Sequence, residues 1–61
     1  MTTNNLQEVT ELLNSELLSY KKCCSYAADV TDPVLKEKLG TFANKHRVRY
    51  EVLLKYLGGQ N

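Results

Sequence analysis

A single proline, Pro33, stands near the middle of this 61-residue chain, with Thr31 and Asp32 directly before it. Proline has no backbone N–H and its ring clashes with the preceding turn, so a helix does not run through it undisturbed. Asp is a preferred helix N-cap and Pro is favoured at the first helical position. Thr31-Asp32-Pro33 therefore closes one element and opens another. Before it, Leu6, Val9, Leu13, Tyr20, Cys23, Ala27 and Val30 fall on steps of three and four. After it, Leu35, Leu39, Phe42, Tyr50, Leu53 and Leu57 do the same. This is the period of amphipathic helices, and no long stretch alternates as a strand does. The spacing predicts helices over about 4–30 and 33–57, within a single domain spanning 1–61. Asn4 or Asn5 is the expected cap of the first helix, with Glu8 near the positive end of its dipole. Gly58-Gly59 is the expected stop of the second, leaving Gln60 and Asn61 as a frayed tail.

Two helices of similar length and a tight connection make an antiparallel hairpin. At 7.0 kDa, such a chain buries only about 60% of its unfolded surface and needs a staple or a partner. The staple is not a disulfide. Cys23 and Cys24 are adjacent, and a bond between neighbours is strained and closes no useful loop. Leu12, Leu17, Leu18, Leu54 and Tyr56 widen the apolar faces beyond a narrow seam. The expected architecture is all-α: two hairpins packed face to face as a homodimeric four-helix bundle, with a monomer as the alternative. Residues Met1 to Asn5 are polar and no apolar run approaches the ~20 residues of a membrane span. No secretion signal and no membrane partner are expected, and the unpaired cysteines fit a reducing cytoplasm.

Two polar residues interrupt the seams. In heptads that place Leu6, Leu13, Tyr20 and Ala27 at one core position, Glu16 joins Val9, Cys23 and Val30 at the other. In the second helix the seam reads Leu35, Leu39, Phe42, His46, then Arg49 or Tyr50, then Leu53. Folding the chain about Thr31 and Asp32 sets Glu16 and His46 level, each about fifteen residues or roughly 22 Å from the turn. A carboxylate in an apolar seam is costly unless it is paired or binds a metal. Two readings follow. Glu16, His46 and Arg49 form a buried polar layer that fixes helix pairing. Otherwise Glu16 and His46, duplicated across a two-fold, are ligands for zinc or iron. Arg49 discriminates: a guanidinium entering the layer takes the place of a cation.

The net charge of +1 is unevenly spread. Residues 1–32 hold five acids against two lysines, and residues 33–61 hold six bases against two acids. The halves attract each other in a hairpin. Alternatively Lys38, Lys45, Arg47 and Lys55 make a basic face for nucleic acid or another partner, with Tyr56 for stacking. Cys23, on the seam, reads as core filler, and Cys24 as a flank residue able to cross-link chains under oxidation. Gly40 lies level with the cysteines and is expected to allow close helix approach. No catalytic motif is intact.

The stretch from Ser15 to Leu57 resembles the helical hairpins of the ferritin-like, rubrerythrin-like superfamily, especially its short half-bundle and spore-coat members. The resemblance is carried by Glu16, by Tyr26-Ala27-Ala28 before the turn, and by Asp32-Pro33-Val34-Leu35-Lys36. It covers about two thirds of the chain and implies the bundle. It also implies a Glu from the first helix and a Glu-x-x-His pair from the second, holding two metals for oxidase, peroxidase or storage chemistry. Of these only Glu16 is present. Counting from Asp32-Pro33, His46 falls at the second Glu and Arg49 at the His. Aligning His46 with the His puts Ala43 at the Glu. Either way a bridging carboxylate is missing, which speaks against di-iron activity.

Overall fold

The computed structural model describes residues 3–58. Two helices pack antiparallel, α1 over Thr3–Asp29 and α2 over Pro33–Leu57. Asp32 does what its position predicts. Its backbone is extended at φ −70° and ψ 117°. Its carboxylate Oδ1 accepts from the N–H of Val34 at 2.9 Å and of Leu35 at 3.4 Å. Its carbonyl accepts the first helical bond, from the Lys36 N–H at 2.9 Å. Asp32→Ala removes the side-chain bonds, and such a loss costs about 1 kcal/mol. In a domain this small the expected fall in melting temperature is roughly 4–8 °C, read from thermal melts followed by circular dichroism.

At the far end, the Gly58 N–H donates to the Leu54 carbonyl at 3.0 Å. Gly58 sits at φ −75°, so the stop needs no left-handed residue there. Gly59, Gln60 and Asn61 lie outside the described residues. The first helix begins at Thr3, so Asn4 and Asn5 are helical and neither is its cap.

The contact between the helices follows a strict 3.5-residue repeat. In α1 the half-buried positions include Val9, Leu13, Glu16, Tyr20, Cys23 and Ala27, continuing to Val30. In α2 they are Leu39, His46, Tyr50, Leu53 and Leu57, with Ala43 buried among them. Alternating steps of three and four are the signature of coiled-coil packing. One expectation is corrected here. Leu35 and Phe42 are not on the seam; Phe42 is 49% exposed, and Ala43, 6% exposed, is the one buried residue among those described. Leu6 is exposed as well. Helix α2 carries two seams that share Leu39, His46 and Leu53. One adds Ala43, Tyr50 and Leu57; the other adds Leu35, Phe42, Arg49 and Tyr56. The hairpin uses the first, because the second places the Arg49 cation at the centre of the contact, where desolvation penalises it.

Gly40 is also corrected. A methyl group built there meets nothing within 4 Å, so the glycine faces open space and no close helix approach depends on it. Gly40→Ala is therefore expected to stabilise by about 1 kcal/mol through helix propensity alone, raising the denaturation midpoint without altering the denaturant slope.

The chain is long and thin. Its extents are 45 × 20 × 11 Å and its radius of gyration is 14.1 Å, against about 10.5 Å for a compact chain of this length. The accessible surface is 4769 Å², against roughly 4,000 Å² expected for a compact monomer of this mass.

Candidate functional site: a Glu–His pair at the centre of the hairpin

The structure brings Glu16 and His46 together. His46 Nδ1 lies 2.5 Å from Glu16 Oε2. An ionised carboxylate has no proton to give, so the imidazole N–H is the donor. The pair is set back from solvent, with the Glu16 side chain 17% and the His46 side chain 26% exposed. Their neighbours along the seam, Leu13 and Tyr20 in α1 and Tyr50 in α2, are half-buried. The contact is long-range in sequence and level in space because both residues sit equally far from the turn.

Arg49 is expected in the buried layer with Glu16 and His46, and here the expectation is corrected. Its side chain is 62% exposed and belongs to the unused seam. From there Nη1 reaches to 3.9 Å from Glu16 Oε1. The carboxylate is thus addressed from two sides, by a hydrogen bond from within and a guanidinium at the rim.

Arg47, two residues away, points to the opposite flank. It bonds Glu51 at 2.6 Å and Asn44 at 2.8 Å. Lys45 Nζ stands 5.8 Å from the centroid of the Phe42 ring. At 100° per residue, Lys38 and Lys45 share one side of α2, while Arg47 falls about 180° from Lys38 and Lys55 on a third side. The helix does not gather these four cations into one cluster. Cys23 is half-buried, as its seam position implies, and Cys24 is exposed; both are free thiols. The Cys24 thiol beside the Tyr20 phenol holds it above the ordinary tyrosine range, an arrangement that heptad counting does not reveal.

Surface hollows flank the central pair. One of about 210 Å³ is lined by Leu17, Tyr20, Arg47, Tyr50 and Glu51. The other, about 310 Å³, is lined by Leu12, Glu16, Val48, Arg49, Val52 and Leu53. Among the described residues, no group of three or more His, Cys, Asp or Glu stands together. A single chain offers a metal two donors, which are spent on each other, with a guanidinium beside one of them. A tetrahedral zinc or a di-iron centre needs more, so one chain alone does not fit either group.

No protein-family model, curated protein or solved structure matches this chain. No helix among the described residues is long and apolar enough to cross a membrane.

Proposed function

We propose that this chain is a non-catalytic structural or interaction module that works as a homodimeric four-helix bundle, a ferritin-like hairpin whose metal-binding residues are incomplete. One observation carries the reading: the hairpin leaves its second apolar seam outside. Leu12, Tyr26, Leu35, Phe42, Val52 and Tyr56 are all exposed, and large apolar side chains left outside in this number point to an interaction site. Within the bundle, the Glu16–His46 pair sets register, since any slip separates the two and leaves polar groups unpaired. Sedimentation equilibrium at micromolar concentration is expected to give about 14 kDa, twice the 7.0 kDa chain. A 7.0 kDa species at every concentration overturns the proposal.

A second reading keeps the dimer and makes Glu16 and His46 ligands for zinc or iron. Two copies of the pair amount to four donors, although within one chain Glu16 Oε2 and His46 Nδ1 are already committed to each other at 2.5 Å. Arg49 opposes it, standing where it competes with a cation. Native mass spectrometry separates the readings. A dimer that retains zinc or iron through chelator treatment supports the ligand role; a dimer that stays apo after metal addition supports the structural one.

A further inference from the structure

We infer that the second copy docks on one broad face of the hairpin, the flank carrying Leu12, Tyr26, Leu35, Phe42 and Val52, and leaves the opposite flank to solvent. This inference rests on the dimer proposed above and specifies its interface. In an antiparallel pair, the residues just before the seam on each helix line one face and those just after it line the other. The first set is Leu12, Ser19 and Tyr26 in α1 with Leu35, Phe42, Arg49 and Tyr56 in α2. The second is Thr10, Leu17 and Cys24 with Gly40, Arg47 and Leu54. The first face carries more of the large apolar side chains. Its large side chains are exposed, and a shallow hollow of about 310 Å³ lies beside Leu12 and Val52. The second face carries Arg47, tied to Glu51, and a glycine over open space.

The area suits a second copy. A face of 45 × 20 Å amounts to about 900 Å² in projection, against the ~800 Å² per partner of a standard specific interface. The charge suits it as well. At the middle of the face, Arg49 stands against Glu16, so the two charges offset each other. The same face also carries Glu8, Lys22 and Asp29 in α1 and Lys38 and Lys45 in α2, so a second copy that lays its α1 on this chain's α2 sets its acids against these bases.

The test compares charge substitutions on the two faces, with each variant's helicity checked by circular dichroism and its association by sedimentation. Phe42→Glu and Val52→Glu replace exposed residues that lie off the seam, so the hairpin is expected to persist. Each is expected to weaken dimerisation at least 100-fold. Leu54→Glu, exposed on the other face, is expected to change it less than threefold. If Leu54→Glu dissociates the dimer while Phe42→Glu and Val52→Glu do not, the assignment of the face is wrong and the dimer stands. If Phe42→Glu alone loses helicity, Val52→Glu decides. If the unaltered chain is monomeric throughout, the proposed function itself has failed. Rapid Cys24–Cys24 cross-linking in the native dimer places the other flank at the interface and overturns the assignment.

Discussion

Glu16→Ala is expected to lower the melting temperature by roughly 10 °C. The substitution leaves the His46 Nδ1–H without its acceptor and removes a methylene and the carboxylate from a half-buried site. Losing one partner of a buried hydrogen bond costs ~1–3 kcal/mol, and the lost packing adds to it. Partial exposure of both side chains, 17% and 26%, lets water repair some of the damage, so about 2 kcal/mol is the sensible figure. At roughly 4–8 °C per kcal/mol for a domain this small, the melt shifts by the stated amount. Three companions separate the causes. Glu16→Gln keeps the shape and one hydrogen bond, and is expected to lose less than half as much. Arg49→Ala, at a side chain 62% exposed and 3.9 Å from its partner, is expected to cost under ~0.5 kcal/mol. The double variant Glu16→Leu, His46→Leu removes both desolvated groups and is expected to melt at or above the parent, with its register or oligomeric state less well defined. If Glu16→Ala melts with the parent, the pair contributes no stability and the register argument falls.

Much of the hairpin is legible in the residues, and the reasons are local. Asp32 and Pro33 specify a helix start by chemistry that acts within three residues, so the turn is placed correctly. The meeting of Glu16 and His46 follows from counting, because rise per residue is constant and the turn is short. The choice between the two seams of α2 was not legible. Both have the same period and share Leu39, His46 and Leu53, so hydrophobic spacing scores them equally. What separates them is a rotation of the helix by about 60°, decided by where the Arg49 charge ends up. Gly40 shows the same limit. It lies 100° around the helix from Leu39, which turns it to open space. Periodicity reports that a face is apolar and does not say what covers it, so the identity of the partner rests on area and charge instead.

A hundredfold dilution is expected to lower the melting temperature by about 10 °C, the second large effect. The reasoning is mass action. If unfolding and dissociation are coupled, a hundredfold change in concentration alters the free energy by about 2.7 kcal/mol per dimer. The entropy of unfolding near the midpoint is about 2.1 cal/mol/K per residue. Over two chains of 61 residues that is roughly 0.26 kcal/mol/K, and the quotient is the stated shift. An autonomous hairpin shows no such dependence, since its folding is unimolecular. The measurement therefore reports whether the exposed seam of Leu35, Phe42 and Tyr56 contributes to folding or merely decorates its product. It also reports this without altering a residue, so no variant's own misfolding can confuse the answer. Combined with Phe42→Glu, it becomes sharper. That variant is expected to melt lower than the parent at high concentration and to lose the dilution effect, because the face that couples folding to association is gone. A parent melt that does not move with concentration would mean that the contacts between α1 and α2 suffice to hold the hairpin, and that the apolar flank awaits a partner other than itself.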